Sequence, residues 1–231
     1  MLDALKDLYT GVVYDTLRDM GITNCVLDND IKPIYSVNKL YGKIWTCEGS
    51  YMENITMDES LSSWSKMLSN APEGHIVICS ANNVESDNIN FPKVSHMGEL
   101  SAEVLKMKDI KGFITDGGTR DAEFLEQINL PVFCSYVTPK DIVGHWKITS
   151  EGKPVTIKSS SIFTGNTIKP VTVNTGDIFL YDSDGTVIIP SECYEEVIKL
   201  ASEKTNKENH MRQSILNGMD PYKAYQKFGI F

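Results

Sequence analysis

The feature that most constrains this chain is an alternation between residues 58 and 136. Three apolar runs, HIVICS at 75–80, GFIT at 112–115 and PVFCSY at 131–136, are separated by stretches with helical spacing. The stretch 58–70 lines up Leu61, Trp64 and Leu68 on one face, 98–107 supplies a second helix, and a short third one runs through Gln127. Apolar runs too short for buried helices read as buried strands. Strands that alternate with helices pair in parallel through crossovers, so the predicted class is α/β.

The flanks add to this frame. Leu2, Leu5 and Leu8, then Val12, Val13, Leu17 and Met20, fall at helical spacing, with a break at Thr10-Gly11 and a stop at Gly21. Residues 31–49 mix β-branched and aromatic residues with Gly and Pro and predict strands and a turn. The polar stretch 81–96 has no clear period and reads as a loop over or beside a site. From 153 the pattern becomes short β runs punctuated by Gly165, Gly176 and Gly185, which predicts antiparallel pairing. The expected architecture is therefore one domain over 1–231, a layered α/β/β sandwich with a central parallel or mixed sheet and a β-rich C-terminal half. Residues 191–216 read as one long, highly charged helix. The tail carries Tyr222, Tyr225, Phe228 and Phe231, an apolar strip that needs a surface to cover; the segment 191–231 is expected to pack on a neighbouring subunit.

Charge narrows the partners. With 22 Lys and Arg against 31 Asp and Glu, the net charge is -9. Such a chain has no long-range attraction for phosphate backbones or anionic lipid, so neither nucleic acid nor membrane is expected as a partner. Cys25, Cys47, Cys79, Cys134 and Cys193 include no close-spaced metal knuckle. Their odd number and the want of a signal peptide point to the reducing cytoplasm, and no apolar stretch is long enough for a transmembrane helix.

Two motifs carry chemistry. Asp116-Gly117-Gly118-Thr119-Arg120-Asp121 follows a buried strand, and ligands of α/β folds bind at the carboxyl ends of such strands. The glycines allow a sharp turn or close approach to a ligand. Arg120 offers a planar fork for a carboxylate, and Asp121 is a ligand for a hard cation, directly or through water. An Arg–Asp pair on a Gly-rich turn is equally a common surface feature. The second motif, His96-Met97-Gly98-Glu99-Leu100, sits at a loop-to-helix junction, where unpaired amides face any anion placed there. Glu99 is suited to orient a metal-bound water or to act as a base, or simply answers the helix dipole; His96 lies beside the anion loop and is a candidate substrate contact. Together the motifs suit a 2-oxo acid held through its carboxylate and keto oxygen, with a cation to stabilise the enolate formed when a C–C bond breaks. Spacing alone does not choose this chemistry over a kinase-like or hydrolytic one.

The run from Gly98-Glu99-Leu100 through Gly112–Asp121 to Pro131-Val132-Phe133 resembles the 4-hydroxy-4-methyl-2-oxoglutarate aldolase family, which also holds the regulator of ribonuclease activity A and proteins once labelled demethylmenaquinone methyltransferase. Asp15-Thr16-Leu17, Thr175-Gly176-Asp177, the hairpin Asp182–Pro190, and Glu208, Arg212 and Gly218 extend the likeness over most of the chain. The resemblance implies a class II lyase acting on a 2-oxo dicarboxylate or a related hydroxylated oxo acid, as aldolase or oxaloacetate decarboxylase, and releasing pyruvate. It implies Arg120 on the carboxylate or keto group, Asp121 anchoring Mg2+ or Mn2+, the backbone of Met97, Gly98, Glu99 and Leu100 on the pyruvyl carboxylate, Glu99 ordering metal-bound waters, and Glu208 reaching a neighbouring copy's site. A homotrimer or dimer of trimers goes with it. The helix SAEVLKMKD and the long polar segment before His96 depart from the family pattern and point to unusual substrate contacts. Regulators on this fold bind a ribonuclease-like enzyme instead, which is the alternative function. A methyltransferase is not expected, since no strand leads into a G-x-G-x-G loop.

Overall fold

Strands from the apolar runs lie side by side and in parallel, as their alternation with helices demands. The computed structural model describes residues 2–81, 92–159, 162–163 and 167–230. A short 3-10 helix, Leu2–Lys6, leads to α1 (Thr10–Asp19), β1 (Lys32–Pro33), β2 (Leu40–Tyr51), α2 (Met57–Asn70), β3 (Ile76–Ser80), α3 (Glu99–Met107), β4 (Gly112–Thr115), β5 (Gly118–Thr119) and α4 (Ala122–Ile128). There follow β6 (Val132–Cys134), β7 (Tyr136–Val137), β8 (Trp146–Glu151), β9 (Val155–Ile157), β10 (Ile162–Phe163), β11 (Thr167–Ile168), β12 (Val171–Val173), β13 (Ile178–Asp182), β14 (Gly185–Ile189), α5 (Tyr194–Leu216) and α6 (Pro221–Phe228).

The main sheet runs β1-β6-β4-β3-β2-β13-β14, with β8 also paired to β2. Its centre, β2-β3-β4-β6, is parallel, and β1, β8, β13 and β14 are antiparallel additions. Side chains alternate across the pleat. Val77, Phe113 and Val132 join Trp64, Met67, Leu105 and Leu125 under α2, α3 and α4. Ile76, Ile78, Ile114 and Phe133 point the other way, onto Ile157, Val173 and Phe179. α2 begins where a capping box fixes it: the Thr56 side chain accepts from the Glu59 amide while the Glu59 carboxylate accepts from the Thr56 amide.

The expected α/β/β sandwich with a β-rich C-terminal half is corrected here. The fold is α/β with a mixed sheet, but no second full β layer forms among the described residues. β13 finds the open Leu40–Lys43 edge of the long β2, so the β13-β14 hairpin extends the main sheet. β9 and β12, β10 and β11, and β5 and β7 make separate two-stranded ladders. From Tyr194 the chain is helical, and α5 sets Val197 and Ala201 against Leu5, Val13, Leu17, Leu180 and Ile189. On α6 only Ala224 is buried, while Tyr222 and Tyr225 are exposed. The middle of the expected 81–96 loop, the Gly165 turn and Phe231 lie outside the described residues. No helix among the described residues is long and apolar enough to cross a membrane.

Candidate active site

After β4 the chain enters β5, which pairs with β7 in a ladder of its own, and residues 95–98 lie alongside. The His96 amide donates to the Gly118 carbonyl at 2.8 Å and the Arg120 amide to the Met97 carbonyl at 2.9 Å. The Ser95 and Thr119 hydroxyls donate to the same Met97 carbonyl at 2.8 and 2.9 Å. This lacing brings the two motifs together, and it needs glycine. A Cβ on Gly117 would stand 2.2 Å from His96 Nδ1, and one on Gly118 would stand 2.3 Å from the Tyr136 ring.

At the outer rim Asp121 caps α4 in a left-handed conformation, φ 57° and ψ 36°, a region that aspartate tolerates better than most side chains. Its Oδ2 accepts from the Glu99 amide at 3.0 Å and lies 3.6 Å from Arg120 Nε. Gly98, the N-cap of α3, makes room for this, since a Cβ there would lie 2.7 Å from Asp121 Oδ2. Arg120 Nη1 reaches Asp141 Oδ2 at 3.4 Å. These three side chains, at 41%, 35% and 42% exposure, remain in contact with water. They line a cavity of about 650 Å³ together with His96, Gly98, Glu99, Leu100 and residues of α2.

Deeper in, the setting is dry. His96 is buried with its ring edge-on to Trp146, centroids 4.7 Å apart. The Gly118 amide donates to its Nδ1 at 3.3 Å, so the ring proton sits on Nε2, an atom with no hydrogen-bond partner among the described residues. Burial pushes the imidazole down to about 3 and keeps it neutral. Asp116 Oδ1 accepts from the Ala81 amide at 2.7 Å, and burial pushes this carboxyl up to about 6.

The structure therefore gathers Arg120, Asp121, Glu99, Gly98, Leu100, Met97 and His96 around one cavity. The Met97 side chain is buried in the core and Leu100 is largely exposed. Glu208 is elsewhere, on α5, accepting from the Tyr9 hydroxyl. His75, His145 and His210 do not line the cavity. Sequence reasoning missed Asp141, which reaches Arg120 from twenty-one positions away with no motif around it, and it gave the buried Asp116 no role of its own. Among the described residues no three His, Cys, Asp or Glu side chains cluster to hold a metal ion.

Residues 10–188 match the family model RraA-like, described as Aldolase/RraA. The chain belongs to the RraA-like family. This RraA-like chain is 27% identical over 227 residues to an uncharacterised protein of Methanocaldococcus jannaschii, covering 95% of this chain and 96% of that one. It is 24% identical over 220 residues to a Halalkalibacterium halodurans protein named "Putative 4-hydroxy-4-methyl-2-oxoglutarate aldolase", covering 95% and 90%. Streptomyces coelicolor RraAS2, described as an unusual member of the RNase ES inhibitor RraA protein family, superposes with a TM-score of 0.72 at 19% identity, over 92% of this chain and 96% of that one. At that identity the likeness is one of fold.

Proposed function

We propose that the cavity binds a 2-oxo acid through its carboxylate and keto oxygen and that the protein is a divalent-metal-dependent lyase of the aldolase or decarboxylase type, releasing pyruvate. The observation that carries this reading is the meeting of Arg120, Asp121 and the Gly98-Glu99 step on one cavity. Arg120, Asp121 and Asp141 are held by long contacts of 3.4 and 3.6 Å and stay partly in water, so they can exchange partners with a ligand.

The residues fit a hydrated Mg2+ or Mn2+ rather than an all-protein cage. Oδ2 of Asp121 is engaged by Glu99 and Arg120, which leaves Oδ1 to hold a cation that keeps most of its waters. Glu99 stands at the same wall to order those waters. When bound, the cation supplies charge stabilisation for the oxyanion that develops as the C–C bond breaks. Arg120 exchanges its long contact with Asp141 for the substrate carboxylate. The first-turn amides at Leu100 and Ser101, without partners inside α3, add donors to the same anion. His96, neutral and buried, shapes the floor and does not act as a cationic acid near neutral pH. Glu208 takes part only if a second copy, in a trimer or dimer of trimers, presents it.

The test is pyruvate release from a panel of 2-oxo and 4-hydroxy-2-oxo acids, with and without EDTA. Turnover that disappears with EDTA and falls ~10²–10³-fold in Arg120→Ala and Asp121→Ala is the expected result. Metal-independent turnover, or full activity in both variants, overturns the mechanism.

A second reading is a non-catalytic regulator that binds a ribonuclease-like enzyme. The fold shared with RraAS2, described as a member of an RNase inhibitor family, is compatible with it. The acidic chain would then dock on a basic partner. Salt-sensitive co-purification with such an enzyme, with no turnover of any oxo acid, is its expected signature.

A further inference from the structure

We propose that the acid taken at this site carries a single carboxylate and an apolar distal arm. This rests on the reading of the cavity as a 2-oxo acid site and narrows it to the aldolase type, because decarboxylation that leaves pyruvate needs a second carboxylate to lose. The walls set one cation, Arg120, against three carboxylates, Glu99, Asp121 and Asp141. His96 adds no charge, because its burial keeps the ring neutral. A divalent ion beside Asp121 would bring the walls to balance, and Arg120 with the α3 amides would then serve one substrate carboxylate. A second carboxylate would find no other cation among the described lining residues and would be set among fixed negative charges in a partly desolvated space, a penalty that acts as a filter.

Shape agrees with charge. A cavity of about 650 Å³ lies within the range of about 300–1,000 Å³ that suits drug-sized ligands, far more than a pyruvyl unit fills. The rest of the lining is mainly apolar, with Leu61, Trp64 and Leu68 of α2, Val104 of α3, and Ile142 and Val143, and its remaining polar side chains are uncharged serines, Ser65, Ser69, Ser95 and Ser101. Trp64 is fixed by donating its indole N–H to Ser101 Oγ at 2.9 Å, so it shows an apolar face with its polar atom already used. A carbon arm on this wall gains from burial, and a charged one does not.

Two near-isosteric, uncleavable probes separate the cases: 2-oxoglutarate, and 5-methyl-2-oxohexanoate, in which an isopropyl group stands where the distal carboxylate would be. Binding to the intact protein with Mg2+ is measured by calorimetry. The branched monoacid is expected to bind at least about tenfold more tightly than 2-oxoglutarate. Leu61→Lys, at a half-exposed helix position, adds a cation to the wall and should narrow that ratio at least about threefold. If 2-oxoglutarate binds as well as the monoacid, or if Leu61→Lys leaves the ratio unchanged, the inference falls; the parent reading survives provided Arg120→Ala weakens both probes. If neither probe binds and no 2-oxo acid is turned over, both fall together.

Discussion

Asp116 and Asp121 lie five residues apart on one turn and live in opposite settings. The inner carboxyl is buried, fixed by the Ala81 amide, and pushed up to about 6. The outer one is one-third exposed, on a left-handed backbone, and tied to Glu99 and Arg120. The same contrast divides the whole site. Inside, Gly117, His96 and Trp146 pack too closely to admit a methyl group. Outside, Arg120 makes contacts of 3.4 and 3.6 Å that water can reach. Long, wet ion pairs hold little stability, and for that reason they are cheaply exchanged for a ligand. The inner half holds the geometry and the outer half is free to trade partners.

The sharpest way to break that division is Arg120→Ala. Loss of the clamp should remove about 2.7–4 kcal/mol of transition-state stabilisation while the unfolding free energy from urea melts changes by less than about 1 kcal/mol. A variant that unfolds much more easily would show that the outer half also holds the fold.

Gly117→Ala probes the opposite side. Its Cβ would meet His96 Nδ1 at 2.2 Å and the Ala81 Cβ at 3.0 Å, and neither neighbour has room to give. Overpacking of this kind costs about 1–3 kcal/mol, read as a lower unfolding midpoint. Gly98→Ala meets the end of a movable carboxylate instead, so it should spare stability and disturb Asp121.

The two buried titrating groups oppose one another in pH. Asp116 is raised from 3.8 to about 6, so the folded chain holds its proton more tightly. Its contribution is full below about pH 4 and is lost as pH rises through about 6. His96 is lowered from 6.5 to about 3, so its contribution is full above about 6.5 and is lost as pH falls toward 3. Each slope is limited to about 1.4 kcal/mol per pH unit, and between pH 4 and 6 they offset. Asp116→Asn should therefore become more stable as pH rises through that window. His96→Asn, whose amide oxygen stands in for Nδ1, should become less stable. Parallel flat profiles in both variants would mean that the inner half is not dry.

How much of this could be read from residues alone follows from the range of the forces. The helices and strands between 57 and 134 are local: apolar spacing on α2 and continuous apolar runs in β3 and β4 are set by neighbours in sequence. The meeting of Gly98 with Arg120 was legible because both motifs end adjacent crossover units. The partner of Arg120 was not, since Asp141 arrives after β7 from a turn that carries no pattern. The β-rich C-terminal half was misjudged for a similar reason. Short β runs parted by an Asp- and Gly-rich turn at 178–189 say that strands form but not that the first will choose the free edge of β2, which register alone decides.

The smallest expected effect refines the outer half. Asp141 Oδ2 lies 3.4 Å from Arg120 Nη1, while its Oδ1 accepts from the Val143 amide at 3.1 Å. Asp141→Asn keeps that second bond and removes the charge. Stability should change by less than about 1 kcal/mol. Because the arginine no longer divides itself between two carboxylates, pyruvate measured by calorimetry in Mg2+ should bind about two- to fivefold more tightly, the range that an exposed pair of this kind commands. Weaker binding would carry a different meaning: Asp141 would then be helping to hold the cation, and the outer half would be a two-carboxylate site in which Arg120 is the counter-charge rather than the clamp.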